Sequence, residues 1–134
     1  MMLSDRKHLA RFNGNSPATQ SSIQHLEGES GFRLPEDYIF FLQHSNGGEG
    51  FIGNAYVILW PVEQLIEMNR AYHVADYAPG LFLFGSDGGG EAFAFDTRSK
   101  AMPIASVPFV GMALEVARPL ASSFGAFLKE LSKA

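Results

Sequence analysis

Apolar residues along the chain fall into a few patterned runs, and each run predicts an element. Leu120, Phe124, Phe127, Leu128 and Leu131 recur at offsets of 0, 4, 7, 8 and 11, the stripe of an amphipathic helix with Pro119 in its first turn. Tyr38, Phe41 and Leu42 stand at i, i+3 and i+4 behind Pro35, with Glu36 and Asp37 where carboxylates meet the positive end of a helix dipole. An earlier helix opens with Ser16 as its cap and Pro17 at its first position, buries Ile23 and Leu26, and ends at Gly31. Asn46-Gly47 fits a left-handed C-cap for the second helix, and Gly48, Glu49 and Gly50 extend it into a loop.

Tyr56 to Trp60 is β-branched and aromatic without a polar break, which predicts a strand covered on both faces. Pro61 closes it and opens a third helix, with Val62, Leu65, Ile66, Asn69 and His73 on one side and Glu63, Glu67 and Arg70 on the other. Leu81–Phe84 and Glu91–Asp96 flank Gly85-Ser86-Asp87-Gly88-Gly89-Gly90, so they read as two strands of a hairpin. In the second of them Phe93 and Phe95 should face helices, and Ala92 and Ala94 something close or wet. Met102–Phe109 is a further strand that Pro103 and Pro108 push toward a sheet edge. The order predicts an α+β fold, a single mostly antiparallel sheet covered by helices.

Composition supports that reading. The chain of 134 residues suits one domain, and 46% hydrophobic residues with 12 Phe supply a core large enough to fold without staples. There is no Cys, which excludes disulfides, thiolate metal sites and cysteine nucleophiles. Residues 1–14 lack the apolar run of a secretory signal, and no stretch reaches the 18 apolar residues of a membrane span, so a cytoplasmic protein without a membrane partner is expected. Charge is uneven: residues 27–96 hold eleven acids against Arg33 and Arg70, with basic excess on either side. An acidic middle disfavours nucleic acid, whose phosphates need clustered Lys and Arg, and favours a basic partner. The same acids could equally be solvated helix and turn residues.

Candidate chemistry concentrates in the glycine-rich stretches. Asp87, Glu91 and Asp96, with Glu49 on the other glycine loop, form an acidic set that could share a proton or ligate Mg²⁺ or Ca²⁺. Against this, Asp87-Gly88-Gly89-Gly90-Glu91 lacks the alternating ligands of a calcium loop, and Asp-Gly is a common hairpin-turn pair because both residues tolerate positive φ. Gly85-Ser86-Asp87-Gly88 is no nucleophile elbow, since Phe84 stands where that motif needs glycine. No Gly-Lys-Ser/Thr follows the glycines, so they do not cradle a phosphate. His8, His25, His44 and His73 are scattered singly, unlike the converging ligands of a zinc site. Trp60 could anchor a partner, but Val57, Ile58 and Leu59 beside it argue for the core. No catalytic set, metal or cofactor is implied.

Taken in order, several of these pieces resemble a known family. Leu34-Pro35-Glu36-Asp37-Tyr38 with Phe41-Leu42, then Asn46-Gly47-Gly48 and Gly50, is similar to the opening signature of the SUKH superfamily, the Smi/Knr-like proteins. Leu59-Trp60, the helix with Glu63, Leu65 and Asn69, the segment Phe84-Gly85-Ser86-Asp87-Gly88-Gly89-Gly90-Glu91 with Asp96, and Ser123-Phe124 with Phe127-Leu128 follow in the family's order, over about residues 20–131. Residues 1–15 fall outside the resemblance and read as an arm free to move, leaving 16–134 as the domain.

The resemblance implies an α+β fold whose bacterial members are largely immunity proteins that bind and neutralise toxins, and whose fungal members regulate cell-wall synthesis through protein contacts. It carries no catalytic residues. The expectation is a non-enzymatic binding domain with a protein partner, a toxin that is basic and nuclease-like, and Glu49, Asp87, Glu91 and Asp96 as contacts. An intracellular regulatory module with a housekeeping partner is the alternative, and a metal-dependent hydrolase on the Asp87/Glu91 hairpin is a third.

Overall fold

The computed structural model describes residues 9–133, and every strand within them joins one antiparallel sheet laid out in chain order. The strands are β1 (Phe12–Gly14), β2 (Gly48–Ile52), β3 (Ala55–Leu59), β4 (Leu81–Ser86), β5 (Glu91–Asp96), β6 (Ile104–Pro108) and β7 (Arg118–Ala121). Helices α1 (Gln20–Ser30) and α2 (Glu36–Leu42) connect β1 to β2, α3 (Leu65–Ala71) and α4 (Val74–Tyr77) connect β3 to β4, and α5 (Phe124–Ser132) closes the chain. This is the α+β architecture expected, with the antiparallel strands dominated by short connections.

Local capping explains most helix limits. Thr19, not Ser16, caps α1: its backbone is extended and its hydroxyl accepts the Ser22 N–H at 3.0 Å. Gly31, left-handed at φ 82°, ends it as expected. Helix α2 begins after Pro35 with Glu36 and Asp37 in its first turn. Asp37 reaches farther than its own helix, because its Oδ2 accepts the Gly125 N–H at 2.9 Å while Ser123 Oγ accepts the Ala126 N–H at 3.1 Å. Two of the donors that the start of α5 leaves unpaired are thus satisfied, one of them from α2.

Other expectations need correction. The last helix does not start near Pro119: Pro119 and Leu120 lie in β7, an edge strand where a missing N–H is tolerated, and Ser123 then caps a shorter helix. Strand β6 is consequently interior, since Pro103 precedes it and Pro108 ends it without interrupting its ladder. Tyr56–Leu59 is not covered on both faces, because Val57 and Leu59 point inward while Tyr56 and Ile58 point out. The segment Gly48-Glu49-Gly50 is no loop; it pairs with both β1 and β3. Within the arm set apart as 1–15, Phe12–Gly14 is the strand β1, and residues 1–8 lie outside the described residues.

Glycine at 48 and 50 is what lets β1 dock. Their φ values of 147° and 144° lie where side-chain-bearing residues are strained, and a Cβ at Gly48 would come within 2.4 Å of the Asn13 carbonyl in β1, one at Gly50 within 2.4 Å of the Arg11 carbonyl just before it.

The core is mainly aromatic. A bulge in β4 between Leu83 and Gly85 inserts Phe84 into the helix-facing layer, where it stacks on Phe95 at 4.5 Å and meets Phe127 edge-on at 5.6 Å. Tyr38 from α2 lies 5.0 Å from both Phe95 and Phe124, and burial pushes its phenol up. Each such pair adds about 0.5–1.5 kcal/mol to simple burial. Phe93 and Phe95 face helices as expected; Ala92 and Ala94 are fully buried as well, so that side is close and not wet. Where β3 diverges from β4, Asn69 of α3 supplies the missing ladder, its amide accepting the Leu83 N–H at 2.8 Å and donating to the Leu83 carbonyl at 2.9 Å.

Two substitutions test this account. Gly48→Ala should lower stability by about 1–3 kcal/mol or more in chemical denaturation, through strain and the clash with β1. Ser106 is 3% exposed and its hydroxyl lacks a partner among the described residues, so Ser106→Ala should leave stability unchanged or raise it by up to about 1 kcal/mol; a clear loss would show a hidden hydrogen bond.

Candidate functional site

Antiparallel register sorts the outward residues of β1–β3 into two rows. Asn13, Glu49, Ile58 and Ser86 stand opposite one another across β1, β2, β3 and β4, and Phe51 stands opposite Tyr56. Because Phe12 pairs with Gly50, Arg11 continues the second row beside Phe51, whose N–H it accepts through its carbonyl at 3.1 Å. The inward residues of the same strands, Ile52, Val57 and Leu59, are buried, so period-2 alternation leaves a wet face of mixed aromatic and charged character. An open groove of about 550 Å³ runs along it, bounded by Trp60, Pro61 and Gln64.

Side chains on this face organise one another. The Tyr56 hydroxyl donates to the Glu49 carboxylate, a bond that raises the tyrosine pKa because it favours the neutral phenol. The Phe51 and Tyr56 rings meet edge to face with centroids 5.3 Å apart, and the Arg11 guanidinium lies 4.3 Å from the centre of Phe51. Tyr56 also rests on the glycine turn, for a Cβ at Gly88 would sit 2.9 Å from its ring.

The sequence candidates divide accordingly. Glu49 and the Asp87–Glu91 turn are brought to one end of the sheet, joined through Tyr56. Asp87 organises that turn: its Oδ1 accepts the N–H groups of Gly89 and Glu91 at 2.8 and 3.2 Å, and its own N–H bonds the Glu91 carbonyl. Asp96 lies at the other end of β5, about 17 Å away for five residues of strand. There it holds Arg98 at 2.9 Å, and that guanidinium keeps its carboxyl below the usual range. Arg11, Phe51 and Tyr56 escaped sequence reading. The run Tyr-Val-Ile-Leu-Trp hides alternation because every residue is apolar, and Phe51 directly follows Gly48-Glu49-Gly50, which reads as loop.

Other chemistry does not assemble. His25 pairs with Glu29, His73 lies 3.7 Å from Asp76, and His44 Nδ1 contacts the Phe40 carbonyl. Among the described residues no three of His, Asp and Glu gather as metal ligands, and no helix is long and apolar enough to cross a membrane. Trp60 is 8% exposed and belongs to the core.

The sequence profile described as SMI1 / KNR4 family (SUKH-1) matches residues 17–130. The chain belongs to this family. A comparison with curated proteins finds no match. The SUKH family includes toxin-immunity proteins and Smi/Knr-like members. The SUKH-1 match spans the residues whose spacing carried the resemblance, and their roles are now physical. Asn46 is not the C-cap of α2, which ends at Gln43. Its Oδ1 accepts the Val62 N–H at 2.8 Å and its amide donates to Glu63 at 2.7 Å, so it caps the short turn leading into α3.

That amide is the main reason the Glu63 carboxyl sits below its ordinary range. The bond favours the ionised form, so its contribution to stability is present above the ordinary glutamate pKa and is lost as pH falls through the lowered one. Asn46→Ala should return Glu63 to the ordinary range in an NMR pH titration and cost about 0.5–2 kcal/mol of stability. An unmoved Glu63 titration would show that another donor holds it.

Proposed function

We propose that this SUKH-1 domain is a non-enzymatic immunity protein that binds a toxin through the open face of β1–β3 and the adjoining glycine turn. The observation that carries the reading is this wet face. It exposes aromatic and aliphatic surface, Phe51, Tyr56 and Ile58, next to Glu49, with the Asp87–Glu91 turn meeting it through Gly88, on a sheet whose other side is the core. Aromatic anchors with a charged rim are the composition of a protein interface. Excess carboxylate at the rim suits a basic toxin, a nuclease among them, because charge complementarity speeds encounter and rejects wrong partners.

Within this reading Glu49 and Glu91 make the charged contacts, Asp87 shapes the turn that presents them, and Asp96, engaged by Arg98, stays outside the interface. A partner in the cytoplasm, where a toxin would act on its own producer, follows from the same assignment. The chain's neutralising action is occlusion, so no residue needs to be a catalyst.

The test is to sequence the DNA flanking this gene and co-express the chain with any small toxin domain encoded there. Growth should be rescued, and Glu49→Lys with Glu91→Lys should weaken the purified complex at least about tenfold and flatten its salt dependence. Asp96→Asn should leave affinity within about twofold. Equal affinity for the doubly reversed variant, with its fold intact by circular dichroism, would move the interface elsewhere; failure of every neighbouring toxin domain to be neutralised would remove the immunity reading.

A further inference from the structure

Glu49, Phe51 and Tyr56 are arranged to hold a cation. Two rings meet near a right angle, at 75° with centroids 5.3 Å apart, and a carboxylate stands at the end of one of them, tethered by the Tyr56 hydroxyl. Ring faces attract cations through their quadrupole, and a carboxylate can accept a second donor alongside the tyrosine. The ring face of the corner is already occupied, since the chain's own Arg11 seats its guanidinium 4.3 Å from the Phe51 centroid. Arg11 belongs to an exposed segment at the sheet margin, next to the three-residue edge strand β1, so only a short ladder fixes its backbone.

We propose that this corner is the receptor for one arginine side chain of a basic protein partner, and that Arg11 is an internal stand-in which the partner's guanidinium displaces. The proposal rests on the wet face being the binding face and adds what that face recognises. Arginine is the occupant rather than lysine for two reasons. A planar guanidinium can stack on Phe51 and still offer N–H groups to Glu49, whereas a compact ammonium does one or the other. The group that the structure places there is itself a guanidinium. Charge agrees: Glu49 stands in the corner, opposite in sign to the ligand. Arg11 competes with the ligand twice, by covering the ring and by like-charge repulsion, so the free protein holds the site partly closed.

The experiment uses purified full-length protein and a capped Gly-Arg-Gly peptide, followed by ¹H–¹⁵N NMR, with the citrulline and lysine analogues as probes of charge and shape. Expected for the arginine peptide are saturable shifts at Glu49, Phe51, Tyr56 and Gly88, with Kd of about 1–10 mM for a single side chain. Arg11→Ala should tighten binding at least about threefold, and Glu49→Gln should weaken it at least about tenfold while the rest of the spectrum stays folded. The citrulline peptide, equal in shape and uncharged, should bind at least about tenfold more weakly. No saturable shift in either the natural chain or Arg11→Ala overturns the proposal, as does a citrulline or lysine peptide that binds as well as arginine. Rescue of cells from a neighbouring toxin alongside a silent peptide titration would sink arginine reception and leave immunity standing; specific peptide binding without any neutralised toxin would do the reverse.

Discussion

Phe84 touches five other aromatic rings, those of Tyr38, Phe93, Phe95, Phe124 and Phe127, with centroid separations from 4.5 to 6.3 Å. The rest of the structure depends on that contact set. It joins the central strands β4 and β5 to both α2 and α5, elements more than 80 residues apart in the chain, and the bulge in β4 exists to aim Phe84 at them. Truncating a ring so placed opens a cavity that close-packed neighbours fill only in part, a loss of about 3–5 kcal/mol. The Asp37 to Gly125 hydrogen bond sets the same two helices against each other from the polar side.

Once the helices claim one side of the sheet, the fate of the other side follows strand by strand. Under β4–β6 it is packed as tightly as the core, with Ala92, Ala94 and Val107 showing no exposure. Beyond β3 it opens, and the residues alternating with the inward set meet solvent. The groove is therefore a by-product of register: Glu49 and Tyr56 point outward because Gly50 and Val57 point in. The two strained glycines that admit β1 also bring Arg11 to the face, so the same backbone feature builds the sheet edge and furnishes the site with its cation.

Electrostatics look different in three dimensions from the linear count. Many acids of residues 27–96 are spent on local structure: Glu27 accepts the Leu34 N–H, Glu29 pairs with His25, Asp37 caps α5, Glu63 binds Asn46, Asp87 holds its turn and Asp96 holds Arg98. Neutral N–H donors fix where these carboxylates stand without cancelling their charge, whereas Arg98 neutralises Asp96. Of the other acids in this stretch, Glu36, Glu49, Glu67, Asp76 and Glu91, it is Glu49 that lines the groove.

The amino-acid sequence by itself determined the elements whose signals are local. Pro35 with two acids starts α2, Gly31 stops α1, and the glycine turn between two apolar runs makes the β4–β5 hairpin, because capping, dipole and turn chemistry act over three or four residues. Family membership was legible too, since the spacing of these pieces is a linear property. Tertiary structure alone decided the remainder. Gly48 and Gly50 read as loop because glycine is poor in strands, and only the approach of β1 makes their rare backbone geometry the required one. Pro119 and Leu120 fit a helical stripe until pairing with β6 claims them. Tyr56 and Glu49, the centre of the candidate site, declared nothing alone: a tyrosine in an apolar run and a glutamate among glycines become a unit only when cross-strand register sets them on one face, and register is a long-range choice made by burial.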